Sequence, residues 1–164
     1  MVEKEIQTIE GPWDIAFQTE RGAPPSTTLD KLESYTENAD KGIKYFSGTA
    51  TYTNTFELAD ADIQSGTLSV DLGDVKNLAE VTVNGKNLGV IWKKPFKMDI
   101  SNVAQPGENK LEVKVINVWV NRLIGDLQID ATEKFTYTTM PFYQTNSPLL
   151  SSVLLGPVKD IASK

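Results

Sequence analysis

Short runs in which apolar residues occupy every second position are the feature that most constrains the fold of this chain. Trp13, Ile15 and Phe17 form one such run, and residues 68–72 and 111–115 form two more. A period of two places all the apolar side chains of a strand on one face, whereas an amphipathic helix repeats about every 3.6 residues. Because these runs alternate with turn residues and helical periodicity is almost absent, we predict an all-β sandwich of about eight or nine strands.

Turn residues and composition locate the remaining strands. The Asn-Gly dipeptide at residues 84–85 is a strong hairpin signal and should join two strands. Residues 44–58 are rich in Thr, Tyr and Phe and alternate, which predicts one long strand bent at Gly48. Residues 18–42 are polar and contain Gly and Pro, so we expect a surface excursion there with at most a short helical turn around residues 29–35.

The segment after residue 111 changes its pattern within a predicted strand. The odd positions are apolar up to residue 115, but from residue 116 to 120 the even positions are apolar, apart from Trp119. A β-bulge reverses which side chains face the core, so we expect a bulge at residues 115–117. The strand would continue to Val120, and Arg122 would begin a loop.

Composition excludes several kinds of chemistry. The chain has 164 residues without Cys or His, which removes Ser-His-Asp and Cys-His triads and His-ligated zinc sites. Its net charge of −6 repels phosphate backbones, so nucleic acid is not an expected partner. No apolar run approaches the roughly 20 residues of a membrane span, and the start of the chain lacks the apolar core of a signal peptide. The length fits one domain over residues 1–164.

Four stretches together resemble a known family. They are FSGTATYTNTFEL (46–58), VDLGDVKNLAEVTVNGKNLGVIWKKPFKMDI (70–100), GENKLEVKVINVWVNRLIGD (107–126) and LLGPV (154–158). In combination they resemble the galactose-binding-like, sugar-binding jelly-roll domain of glycoside hydrolases. The chain looks most like the version at the C-terminal end of α-L-rhamnosidase-type enzymes of family 106, and is similar more distantly to the sugar-binding domain of family 2.

This resemblance implies a non-catalytic accessory domain of a larger bacterial glycoside hydrolase that degrades polysaccharides. The catalytic domain would lie elsewhere in the same polypeptide, so no catalytic residue is expected here, and the parent protein would be periplasmic or secreted. The expected partner is a carbohydrate, or the catalytic domain itself. No cofactor is expected; a structural calcium ion would suit the jelly-roll resemblance, but no calcium-loop spacing assigns one.

Six residues are candidates for contact with a sugar. Indoles and phenols offer a flat apolar face to a pyranose ring, and amide, guanidinium and carboxylate groups can bind its hydroxyls. The candidates are Trp92, Trp119, Asn121, Arg122, Asp126 and Tyr143. Either tryptophan could instead be packed inside the domain, and Arg122 with Asp126 could form a purely structural ion pair.

A second aromatic cluster has two interpretations. Phe135, Tyr137, Phe142 and Tyr143 lie between the predicted motif strand and the closing strand. They could complete a carbohydrate groove, but we favour a face that docks onto a catalytic domain, because large exposed apolar patches usually mark such contacts. The alternative function is therefore a purely structural docking module.

Two pairs of neighbouring carboxylates leave a third function open. Asp60 with Asp62, and Asp71 with Asp74, could in principle serve a stand-alone glycosidase, which needs two facing carboxyl groups. Capping of turns by Asp side chains is the more common use of such residues. We therefore expect these carboxylates to be structural.

Overall fold

A computed structural model describes residues 2–163 and consists mainly of antiparallel strands. The strands are β1 (Glu3–Thr8), β2 (Trp13–Phe17), β3 (Ser26–Leu29), β4 (Thr49–Leu58), β5 (Thr67–Asp71), β6 (Asp74–Lys76), β7 (Leu78–Val83), β8 (Lys86–Ile91), β9 (Lys97–Asp99), β10 (Gly107–Ile116), β11 (Val153–Gly156) and β12 (Lys159–Ser163). The helices are α1 (Lys41–Lys44), α2 (Asp60–Ile63) and α3 (Val120–Asp126), with a 3-10 turn at Tyr35–Glu37. None of the helices in this part of the chain is long and apolar enough to cross a membrane.

The strands form two main sheets and a small third one. One sheet has six strands in the order β3-β2-β4-β10-β7-β8, and the other has four in the order β1-β12-β5-β9. β11 and β6 form a two-stranded sheet. The predicted all-β jelly-roll sandwich is confirmed, although the described residues form twelve strands rather than eight or nine.

A continuous apolar core joins the two main sheets. β2 alternates buried and exposed residues along its length, as its sequence predicts. Tyr35 stacks on Tyr52 with the ring planes 7° apart, and Trp13 meets Tyr52 edge-on at 6.4 Å between centroids. These three rings are fully buried. Burial of a large side chain stabilises a fold by about 2 kcal/mol, so this cluster is a substantial part of the core.

The excursion predicted at residues 18–42 is more ordered than expected. Residues 26–29 form β3, which pairs with β2 at the edge of the six-stranded sheet. The helical turns lie at residues 35–37 and 41–44, later than predicted. An edge strand pairs on one side only, so it needs little apolar alternation and leaves a weak sequence signal.

Three other strand boundaries differ from the predictions. β1 was not predicted, and the long strand β4 begins at Thr49, directly after Gly48, because the residues before it belong to α1 and its C-terminal turn. The single closing strand is in fact β11 and β12, separated at Pro157. Proline has no amide hydrogen to donate to a sheet, which explains the interruption.

The predicted β-bulge at residues 115–117 is wrong. β10 pairs with β4 and with β7 without any shift of register up to Ile116, and α3 begins at Val120. Asn117 ends the pairing, since its Oδ1 accepts from the Gly48 amide at 2.8 Å and its Nδ2 donates to the Phe46 carbonyl at 2.9 Å. The change of parity in the sequence therefore marks a change from strand to helix.

Candidate functional site

The two tryptophan candidates lie at the same end of the sandwich, where strands of the six-stranded sheet begin and end. In antiparallel neighbours the end of one strand lies beside the start of the next. The ends of β10 and β8 therefore lie beside the start of β7, and the end of β2 lies beside the start of β4. We call this end of the sheet the rim. Trp92 directly follows β8 and Trp119 follows β10 by three residues, so both lie at the rim.

Trp92 is displayed on the surface. Its side chain is 69% exposed, and the Nζ of Lys93 lies 5.4 Å from the centroid of its ring. The alternative in which Trp92 packs beneath the loop is therefore wrong. Beside it, Lys94 lies 3.6 Å from Asp74, and the hydrogen bond from Lys76 lowers the pKa of that carboxyl below its ordinary value.

Trp119 is half open to solvent. It is 40% exposed, and the guanidinium carbon of Arg21 lies 4.8 Å from the centroid of its ring. Such an arrangement is a cation–π contact, worth about 0.5–1 kcal/mol at an exposed site. Trp119 is thus not a core plug, and one of its contacts is a positive charge.

Asn121 is buried and joins α3 to the segment that leads into β11. Its Nδ2 donates to the Leu150 carbonyl at 2.7 Å, and the Leu150 amide donates to its Oδ1 at 2.8 Å. The residue is 2% exposed. Its amide is therefore used inside the protein.

Arg122 and Asp126 form a buried ion pair one helical turn apart on α3. Nε of Arg122 lies 2.9 Å from Oδ1 of Asp126, but the N–H does not point along this line, so the contact is an ion pair without a well-formed hydrogen bond. The guanidinium lies between the rings of Tyr45 and Phe135, at 5.9 and 5.2 Å from their centroids. The structural ion pair considered from the sequence is confirmed.

Asp126 also holds the long segment after α3. Its Oδ2 accepts from the amides of Phe135 and Thr136 at 2.9 and 2.8 Å, and from the Thr136 hydroxyl at 2.6 Å. A Cβ added at Gly125 would lie 2.5 Å from both Arg122 Nη2 and Tyr45 Cβ, so this position requires glycine.

Three of the expected site residues have their partners inside the domain. Asn121, Arg122 and Asp126 are each at most 5% exposed, and their contacts fix the segment between α3 and β11. Direct binding of sugar hydroxyls requires exposed polar groups, so this geometry does not favour it for these residues. They position the rim rather than face solvent.

The segment from residue 127 to 150 carries a large apolar surface. Four of its side chains are between 81 and 104% exposed, and we call them the apolar loop surface: Ile129, Tyr137, Met140 and Phe142. Tyr143 is half-buried, meets Phe142 edge-on at 5.4 Å, and lines a cavity of about 350 Å³ beside α3.

Three of the four neighbouring carboxylates have structural partners. Asp62 accepts from the Ala59 amide at the start of α2, Asp71 accepts from the Gly73 amide, and Asp74 pairs with lysines. Across residues 2–163, no three His, Cys, Asp or Glu side chains converge where a metal ion could bind. The calcium ion considered from the resemblance stays unassigned.

The sequence analysis missed Arg21 and Tyr45 as parts of the site. Arg21 lies within the stretch interpreted as a surface excursion, and Tyr45 lies just after it. Arg21 contacts Trp119 and Tyr45 contacts Arg122, both of which are far along the chain. Such long-range aromatic contacts have no local pattern, so no spacing rule could have found them.

Comparisons with known proteins give a consistent result. Residues 5–140 match the family model described as glycosyl hydrolases family 2, sugar binding domain. A Formosa agariphila protein named as a candidate beta-glucuronidase is 39% identical over 92% of this chain, which corresponds to 15% of that protein. A rhamnosidase structure from Novosphingobium sp. PP1Y superposes with a TM-score of 0.93 at 45% identity, over 98% of this chain and 15% of that one. Beta-glucuronidase from Ruminococcus gnavus shares the fold, with a TM-score of 0.57 and 23% identity over 68% of this chain and 20% of that one.

Proposed function

Since the chain belongs to the sugar-binding domain family of family 2 glycosyl hydrolases, we propose that it is a non-catalytic, carbohydrate-contacting accessory domain of a larger glycoside hydrolase. The chain spans 15% of the length of the Formosa and Novosphingobium proteins. We place the catalytic domain in the remainder of such a polypeptide, and the whole enzyme outside the cytoplasm, where it would degrade polysaccharide.

The exposed indoles at the rim are the observation that carries this proposal. Trp92 and Trp119 are 69 and 40% exposed, although a large apolar ring is normally buried. An indole stacks well on the apolar face of a pyranose, and the Lys93 ammonium beside Trp92 can donate to hydroxyls. We assign sugar contact to Trp92, Trp119 and Tyr143, and a positioning role to Asn121, Arg122 and Asp126.

Tryptophan fluorescence tests this assignment. Titration of the 164-residue chain with rhamnose- or galactose-containing oligosaccharides should shift its emission. Rhamnose is the first sugar to test, because the Novosphingobium relative is a rhamnosidase. Trp92→Ala or Trp119→Ala should weaken binding by about tenfold while the melting temperature stays unchanged.

Lys86→Ala is the control, because Lys86 is exposed at the Asn84-Gly85 hairpin, at the opposite end of β8 from Trp92. It should bind like the unmodified chain. A titration that leaves the emission of the unmodified chain flat with every oligosaccharide would overturn the proposal of sugar contact.

The apolar loop surface favours a second role, which is docking onto the catalytic domain of the same polypeptide. Its four side chains are almost fully exposed, and Tyr137, Met140 and Phe142 line one cavity. Exposed apolar surface of this kind usually marks a contact. The relatives supply such a partner in principle, because most of their length lies outside the region matched by this chain.

Oxidation of methionine tests the docking role. Met140 is 81% exposed and should be oxidised rapidly by peroxide in the 164-residue chain, but slowly in the longer parent enzyme. Met98 in β9, which is half-buried, serves as the internal reference. Equal oxidation of Met140 in both proteins would exclude docking through this surface.

A further inference from the structure

We propose that Arg21 and Trp119 form a binding site for the carboxylate of an acidic sugar. This inference rests on the proposed function, since it names the ligand class for one part of the rim. It adds a residue, Arg21, that lies in the stretch between β2 and β3 and that the sugar-contact assignment above does not include.

The two side chains form a cation beside an exposed aromatic surface. The guanidinium carbon of Arg21 lies 4.8 Å from the centre of the Trp119 ring, and Trp119 is still 40% exposed. A ligand at this point would therefore meet an apolar ring and a positive charge together.

The charge of Arg21 is not compensated inside the domain. Within residues 2–163, no Asp or Glu oxygen lies within 4.0 Å of its guanidinium, which also makes no hydrogen bond. Its Nε is fully buried and has no acceptor. A ligand carboxylate would therefore meet the terminal Nη groups of Arg21, which are not among the buried atoms without a partner.

The other arginine of the chain shows the contrast. Arg122 is the only other arginine in the sequence, and it is paired with Asp126 at 2.9 Å. Both guanidinium groups lie against aromatic rings, but one has an internal carboxylate and the other has none in the described residues. By this comparison, Arg21 lacks a carboxylate partner of the kind that Arg122 has.

The segments that carry Arg21 and Trp119 both lie against the backbone of Gly48. The Cγ of Arg21 would lie 3.6 Å from a Cβ added at Gly48, so its stem runs close to the backbone there. The Gly48 amide donates to Asn117, which ends β10 just before Trp119. The two segments that carry the site are therefore joined at Gly48, and a site assembled before binding costs less conformational freedom when a ligand binds.

The chemistry of the pair selects an acidic pyranose. A guanidinium presents a planar fork of donors that matches a carboxylate at two points, and an indole accepts the apolar face of a sugar ring. The net charge of −6 would otherwise repel anions, so any affinity for an acidic sugar has to come from a local cation such as Arg21.

The test compares tetragalacturonate with its fully methyl-esterified form, which has the same rings without the charge. The 164-residue chain should bind the acid at least about tenfold more tightly than the ester, as measured by tryptophan fluorescence and calorimetry at low salt. Arg21→Gln should remove this preference. Arg21→Lys, which keeps the charge without the fork, should retain part of it.

Lys86→Gln is the control, because Lys86 is an exposed cation at the Asn84-Gly85 hairpin, at the opposite end of β8 from the rim. It should leave the preference unchanged, and all variants should keep the melting temperature of the parent chain. Equal binding of acid and ester by the unmodified chain overturns this inference but supports the proposed function. If neither form binds, this inference is overturned, and the titration with rhamnose- and galactose-containing oligosaccharides decides the proposed function separately.

Discussion

At the scale of single residues, Asn121 shows how one buried amide can hold a distant segment. Both of its polar atoms bond to the backbone of Leu150. Asn121→Ala would remove both of these partly buried hydrogen bonds, so we expect the free energy of unfolding to fall by about 2 kcal/mol. Urea denaturation measures this change.

Asn102→Ala is the matched control, because Asn102 is exposed in a turn. Its replacement should change the free energy of unfolding by less than about 0.5 kcal/mol. An equal loss in both variants would contradict a special role for Asn121.

Asp160 in β12 should make stability depend on pH. It is 1% exposed, its Oδ2 accepts from Gln7 Nε2 at 3.0 Å, and its Oδ1 has no partner among the described residues. Burial, with a smaller effect of the Asp62 charge, raises the pKa of its carboxyl to about 7. Between about pH 4, where an unfolded aspartate ionises, and pH 7, the folded chain keeps a proton that the unfolded chain has lost. The contribution of this group to stability is therefore lost as pH rises through that window.

Asp160→Asn isolates this effect, because it mimics the protonated carboxyl at every pH. The free energy of unfolding of the variant, minus that of the parent, should increase from pH 4 to pH 7 by up to about 1.4 kcal/mol per pH unit, and then level off. Asp30→Asn, at an exposed position, is the reference. A difference that stays constant with pH would rule out titration of Asp160 in this range.

At the scale of elements, the strands with one buried face could be predicted and the edge strands could not. β2, β7 and β10 separate core from surface at every second residue, and their sequences record this alternation. β1 and β3 lie at sheet edges and are mostly exposed or half-buried, so their sequences need not alternate.

The helix at the rim, α3, could not be predicted from the sequence for a different reason. α3 has seven residues, about two turns, which is too short for a helical period to stand out from a disturbed strand. The local sequence does not decide whether Trp92 and Trp119 are exposed, because an indole is suited to core and surface alike. Whether it is buried depends on residues that are distant in sequence, such as Arg21.

The ion pair on α3 should control the order of the segment that follows it. Asp126→Asn leaves the buried Arg122 without a counter-charge, so we expect a loss of about 3 kcal/mol in the free energy of unfolding. The amides of Phe135 and Thr136, which bond to Asp126, should exchange with solvent faster. Hydrogen exchange measured by NMR checks this directly.

A double variant separates charge from shape. Arg122→Met combined with Asp126→Asn removes the uncompensated cation and should recover part of the lost stability. If the double variant were less stable than Asp126→Asn alone, the stacking of Arg122 between its two aromatic neighbours would be the larger contribution.

At the scale of the whole molecule, the apolar loop surface should make the isolated domain prone to self-association. Ile129, Tyr137, Met140 and Phe142 are exposed on one segment, and such surface binds hydrophobic dyes and promotes self-association. Replacing Tyr137, Met140 and Phe142 together by Ser should lower dye fluorescence and concentration-dependent light scattering. The melting temperature should stay the same, because these side chains contribute little to the core. A large drop in melting temperature would show instead that they support the fold.

The burial of Trp13 beside Tyr52 gives the domain an internal reference signal. Of the three tryptophans, this one is sealed from water, so it should emit at shorter wavelength and resist quenching by iodide, whereas Trp92 and Trp119 should be quenched. Emission from Trp13 would report whether the sandwich is intact, while the quenchable emission would report events at its rim. One spectrum of the unlabelled protein could then distinguish loss of binding from loss of structure.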